Sequence, residues 1–85
     1  MNSETMNAGS REFVQRVLRG EIGVNCVNGL GTTALTIASY FGDIESVKRL
    51  LSMNGIDINK QTRDGETALT VSSAFNHVEI VKLLQ

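Results

Sequence analysis

Apolar and polar positions along this chain recur at a long fixed offset. Gly31-Thr32-Thr33-Ala34-Leu35-Thr36 returns 34 positions later as Gly65-Glu66-Thr67-Ala68-Leu69-Thr70. Phe41/Phe75, Ile44/Val78, Glu45/Glu79, Val47/Val81, Lys48/Lys82 and Leu50/Leu84 keep the same offset. Self-similarity at a period of about 20 to 50 residues marks a solenoid, in which each unit buries its apolar face only against a neighbour. Within each copy the local signals predict a turn followed by two helices. Gly31 and Gly65 suit tight turns, and Thr33 and Thr67 suit N-caps whose hydroxyls accept from a free N–H of the first helical turn. An inner helix is predicted over Ala34 to Phe41, with Leu35, Ile37 and Ala38 toward the core and Gly42 as its stop. Asp43 then caps an outer helix whose Ile44, Val47, Leu50 and Leu51 form one stripe. In the next copy Leu69, Val71 and Ser72 belong to the inner helix and Asn76 makes the turn. Val78, Val81 and Leu84 form the outer stripe there. Asparagine tolerates the left-handed conformation better than other residues with a side chain, so Asn76 can stand where Gly42 stood.

Asn28 to Gly42 and Thr62 to Asn76 resemble the D-x-x-G-x-T-P-L-H-x-A-A-x-x-G signature of ankyrin repeats. Leu50-Leu51-Ser52-Met53-Asn54-Gly55-Ile56-Asp57-Ile58-Asn59 resembles that family's L-L-x-x-G-A-D-V-N ending with one residue inserted, which gives an offset of 34 in place of 33. The resemblance implies an all-α fold, an ankyrin-repeat solenoid of helix-turn-helix units joined by β-hairpin-like loops. A degraded earlier copy is also legible, because Val14, Val17 and Leu18 lie 33 residues before Val47, Leu50 and Leu51. Counting back the same way sets Gly9 on Gly42 and leaves Met1 to Ala8 in an inner-helix slot with too little apolar content to hold it. The expected organisation is a frayed or vestigial segment over 1–9, a degraded repeat over 10–27, a second repeat over 28–61 and a third over 62–85. Glu21 falls on the turn position of Gly55, which predicts a distorted first turn.

Departures from the family pattern carry physical consequences. Ala34 and Ala68 replace its proline, Thr36 and Thr70 its histidine, and the chain has no proline at all. Losing the fixed φ costs up to about 1 kcal/mol per site through the entropy of the unfolded chain. Ser72 puts a hydroxyl where Ala38 stood, so it needs a backbone carbonyl one turn back.

Composition narrows the function. With 85 residues, 41% hydrophobic and 20% charged, this is ordinary globular composition. A net charge of -1 gives no electrostatic reason to bind nucleic acid or anionic membrane. Arg11, Arg16 and Arg19 read as the solvated face of one helix. No run reaches the length of a membrane-spanning helix, and no charged-then-apolar leader opens the chain. A single cysteine fits a reducing compartment, so an intracellular, cytoplasmic setting is expected. Cys26 reads as a semi-buried filler, and His77 has a structural role at the start of an outer helix. No zinc, P-loop, dinucleotide or nucleophile pattern is present, so neither catalysis, nor a cofactor, nor a metal is expected.

The resemblance implies instead a protein-protein interaction module, a scaffold or adaptor that binds a protein partner through hairpin tips and the concave face of the inner helices. The residues it assigns to that surface are Leu30, Thr32, Tyr40 and Phe41 in the second repeat and Arg63, Asp64, Glu66 and Phe75 in the third. Leu30 and Tyr40 stand out as apolar area with no evident core role, whereas packing between inner helices competes as the explanation of Phe41 and Phe75. Two alternatives accompany this reading. The chain reaches Leu84-Gln85 within an outer helix, which predicts a stacking segment of a longer array or self-association through an uncapped C-terminal repeat. The Leu51 to Asn59 stretch also resembles the pattern read by an ankyrin asparaginyl hydroxylase, with Asn59 as acceptor and Asn25 a poorer one because Gly23 replaces the acid.

Overall fold

Side-chain caps decide where the helices begin. In a computed structural model that describes residues 7–85, five helices follow in order: α1 (Ala8–Leu18), α2 (Ala34–Phe41), α3 (Ile44–Leu51), α4 (Ala68–Ala74) and α5 (Val78–Leu84). Thr33 and Thr67 cap α2 and α4 by accepting from the N–H groups of Thr36 and Thr70. Thr70 returns the bond, its hydroxyl accepting from the Thr67 N–H at 2.7 Å, which closes a capping box. A threonine in the family's histidine position thus satisfies one of the free donors of the helix start. Asp43 caps α3 through the Ser46 N–H at 3.2 Å and accepts from the Ser46 hydroxyl at 2.7 Å.

The stops follow the same logic. Gly42 ends α2 at φ 74, letting the Asp43 N–H reach back to the Ala38 carbonyl, and Asn76 does the same for α4 at φ 59, with His77 N–H on the Ser72 carbonyl. The first repeat departs from expectation in two places. Gly9 is no turn residue: α1 starts at Ala8, capped by the Asn7 side chain, so Gly9 is helical. Glu21 does not distort the turn either, because Gly20 takes the left-handed position one residue earlier. The Gly20 N–H bonds Val17 and the Glu21 N–H bonds Arg16, which completes a Schellman motif. The segment Met1 to Met6, expected to fray, lies outside the described residues.

Helices of 7 to 11 residues are too short to persist alone, so burial against neighbours supplies their stability. α2 is the hub, packed on α1, α3 and α4, while α5 packs on α3 and α4. Val14, Val17, Leu35, Ala38, Val47, Leu50, Ala68 and Ile80 form one continuous core across all five helices. Each buried valine, leucine or isoleucine there contributes about 2 kcal/mol of transfer free energy. The buried hydroxyls are satisfied within their own helices, Ser39 donating to the Leu35 carbonyl at 2.8 Å and Ser72 to the Leu69 carbonyl at 3.0 Å.

The outer stripes need correction. Ile44 is exposed, and in α5 it is Ile80, at the position of buried Ser46, that enters the core, whereas Val78 is 52% exposed and Val81 and Leu84 are half-buried. Leu69 is 37% exposed although Leu35, at the same repeat position, is 1% exposed. The cause is geometric: α4 covers the outward side of α2, and among the described residues no helix covers that side of α4.

Three side chains make polar links between neighbouring repeats, Asn25 from the first to the second and Arg63 and His77 from the third to the second. The Asn25 side-chain amide donates to the Gly55 carbonyl and accepts from the Asp57 N–H, both at 2.7 Å. Arg63 donates to the Gly29 carbonyl at 3.3 Å. His77 makes no capping bond; its Nε2 donates to the Tyr40 carbonyl at 3.1 Å, since a carbonyl only accepts. That carbonyl is one of the unpaired acceptors at the end of α2. The ring fits because residue 42 has no side chain, a Cβ there falling 2.8 Å from the imidazole Cε1.

Arg16 and Arg19 are paired with carboxylates close by in the sequence. Arg19 Nε pairs with Glu21 at 2.7 Å, Arg16 with Glu21 at 3.3 Å, and Arg19 also with Glu12 at 3.6 Å. The hydrogen bond from Arg19 lowers the Glu21 carboxyl below its ordinary range, and Glu21 in turn raises Arg19.

Gly42 and Gly20 share a left-handed backbone but differ in surroundings, nothing lying within 4 Å of a Cβ on Gly20. Gly20→Ala is expected to cost about 1 kcal/mol from the backbone alone, and Gly42→Ala about 2 to 3 kcal/mol because the His77 ring must also move. Urea unfolding of both variants checks this, and equal losses would show that the imidazole seat contributes nothing.

Candidate functional site

The surface begins with two hairpin tips built alike. Asn28 Oδ1 accepts from the Leu30 and Thr32 N–H groups at 3.0 and 3.1 Å. Thr62 Oγ1, at the same repeat position, accepts from Asp64 and Glu66 at 3.3 and 3.1 Å. Each tip is closed further by backbone bonds, Asn28 N–H to the Thr32 carbonyl and Thr62 N–H to the Glu66 carbonyl. Gly31 and Gly65, at φ 81 and 82, complete the turns. The side chain of Arg63 lies across the preceding tip, its Nε 2.9 Å from where a Cβ on Gly31 would stand. The tips are therefore rigid and joined.

Between the tips and the inner helices runs an open groove of about 270 Å³. Its lining brings together five of the residues assigned from sequence: Leu30, Thr32, Tyr40, Phe41 and Glu66. Leu30 is 77% exposed at the rim, as expected of a side chain with no core role. Tyr40 is different. It is half-buried, its ring edge-to-face with Phe41 at 4.9 Å and with Phe75 of the next repeat at 4.5 Å. Tyr40 thus has a packing role between α2 and the end of α4, contrary to the expectation. Phe41 is half-buried against the core, and Phe75 is 42% exposed and stacks on His77. Arg63, Asp64 and Phe75 stand outside the groove lining.

Sequence reasoning missed other contributors to the groove. Asn28 and Thr62 shape both tips, and their 34-residue spacing was a usable signal. Ile37 and Val71, read as core, also reach the groove floor, and Thr36 joins them. No periodicity marks these, since a residue at the margin of a core face has the same pattern as one within it. Cys26 is exposed, not semi-buried. Asn59 is exposed, its N–H donating to Asp57 Oδ1 at 3.1 Å.

Five short helices in stacked hairpins, with aligned tips beside the inner helices, define a helical repeat protein of solenoid type. The family model for ankyrin repeats, in three copies, matches residues 4–85, and the chain belongs to the ankyrin repeat family. It is similar to ankyrin repeat domain-containing protein 29 of Danio rerio, 47% identical over 54 residues that make up 62% of this chain and 18% of that protein. The chain thus spans about a fifth of the length of that relative. Ankyrin repeats are in general protein-protein interaction modules without catalysis. Among the described residues no helix is long and apolar enough to cross a membrane.

The two residues singled out from sequence now separate by stability. Leu30→Ala is expected to change unfolding free energy by less than about 0.5 kcal/mol, and Tyr40→Ala to cost about 2 kcal/mol through its two ring contacts. Chemical denaturation followed by far-UV circular dichroism reads both. Equal losses would contradict the difference in packing.

Proposed function

We propose that this chain is a non-catalytic scaffold or adaptor segment that binds a protein partner through the groove and the two hairpin tips. The observation that carries the reading is Leu30, a large aliphatic side chain 77% exposed on a rigid tip, at the rim of a groove floored by Ile37 and Val71. Exposed apolar area on a preorganised frame is what interfaces use, because little side-chain or loop freedom is lost on association. Thr32, Tyr40, Phe41 and Glu66 border the same groove, and Arg63, Asp64 and Phe75 extend the surface along the third repeat.

A second reading concerns Asn59 as the acceptor of an ankyrin asparaginyl hydroxylase. It is favoured by a contrast between equivalent asparagines. Asn25 holds the neighbouring loop with both ends of its amide, whereas Asn59 sits exposed in its loop. A modifying enzyme has access to the second and must break two bonds to reach the first.

Affinity capture on the full chain, read by quantitative mass spectrometry, tests the first reading. Leu30→Asp is expected to deplete a captured protein by at least about tenfold, the size of a hot-spot loss, and an unchanged capture profile would overturn it. Peptide mass spectrometry of the chain from cells tests the second. One added oxygen on Asn59 and none on Asn25 is the expected result, and unmodified Asn59 where other ankyrin proteins carry the modification rejects it.

A further inference from the structure

The groove has a chemistry that selects among partners. Of the described residues that line it, Glu66 alone is charged. Arg16 and Arg19 are paired with Glu12 and Glu21 at the first repeat, and Arg63 bonds a backbone carbonyl, so none of these three cations is spent on the Glu66 carboxylate. The main chain that carries it is fixed all the same. The Glu66 N–H bonds Thr62 Oγ1 at 3.1 Å and its carbonyl accepts from the Thr62 N–H at 2.8 Å, so a rigid turn sets the base of this side chain beside the groove. Arg63, its neighbour in the tip, is turned away onto Gly29 and Gly31 of the preceding tip. Asp64, exposed beside it, adds a second negative charge.

We propose that the groove receives a lysine or arginine side chain of a partner polypeptide, with an apolar neighbour in that partner resting on Leu30. The inference rests on the interaction-surface reading above and specifies its partner. The stem of such a side chain lies along Ile37, Val71 and the Tyr40 ring, and its head meets Glu66, an arrangement that keeps the methylenes dry and the charge at the rim. An aromatic ring beside the path adds attraction for the cation. An acidic segment meets the Glu66 carboxylate and no cation among the described lining residues, and like charges brought together at an interface are costly. A volume of about 270 Å³ lies just under the range of roughly 300 to 1,000 Å³ usual for small-molecule sites, which suits one long side chain better than a free ligand.

The test pans a random dodecapeptide display library on the immobilised full chain and then measures a synthetic copy of the most enriched peptide by fluorescence anisotropy. Enriched sequences are expected to share a lysine or arginine next to an aliphatic or aromatic residue. Glu66→Gln is expected to weaken the peptide about fivefold at low salt, with Glu66→Asp retaining part of the affinity and Glu45→Gln, on α3, leaving it unchanged. Thermal denaturation of Glu66→Gln should match the wild type, since only the Glu66 backbone is bonded. Neutral or acidic enriched sequences, no enrichment, or a basic peptide indifferent to Glu66→Gln would each overturn the proposal. A peptide weakened by Leu30→Asp and not by Glu66→Gln rejects the basic occupant while keeping the surface, and indifference to both rejects the surface as well.

Discussion

Apolar burial between neighbouring hairpins is the interaction on which everything else in this protein depends. Among the described residues no helix exceeds 11 residues, so none would hold its backbone hydrogen bonds in water without a partner. α2 shows the consequence most clearly: α1, α3 and α4 all pack on it, and six of its eight residues are buried. Because each contact of this kind is made with the adjacent unit, stability accumulates along the stack, and order in one hairpin is conditional on order in the next.

Polar links add register to that adhesion. Apolar faces can slide past one another at little cost, whereas the Asn25 amide reads a carbonyl and an N–H two residues apart in the following loop. Arg63 repeats the idea at the tips and His77 at the helix ends. The bonds of these three side chains join residues 30 to 37 apart, close to one repeat length, so each side chain fixes one unit against its neighbour at a different height of the stack. His77 and Gly42 show how closely backbone and side chain are matched, since the ring occupies the space that a Cβ at residue 42 would fill.

The groove inherits its rigidity from these contacts. Tips closed by side-chain and backbone bonds cannot drift, and the Tyr40 ring is held between Phe41 and Phe75. Preorganisation of this kind lets a shallow surface bind with useful affinity, because little freedom remains to be lost. It also explains why two residues that looked alike in the sequence differ in kind. Leu30 faces solvent from its tip, and Tyr40 is half-committed to holding two repeats together.

Punctuation was legible in the sequence because it acts locally: threonine and aspartate set the starts of α2, α3 and α4, and glycine and asparagine at left-handed positions set the ends of α2 and α4, from interactions within a few residues. The first repeat was harder to read, since Gly20 stands one residue before the position that the repeat alignment assigned to the turn. Which apolar side chains are buried was decided by tertiary structure. Leu35 and Leu69 occupy identical local settings, yet burial is a property of what lies on the other side of the helix, and only Leu35 has a helix there. The same holds for the groove, whose described members come from the start of α1, both tips and both inner helices: local pattern names candidates, and only the stacking of one hairpin on the next brings Leu30, Tyr40 and Glu66 to a common surface.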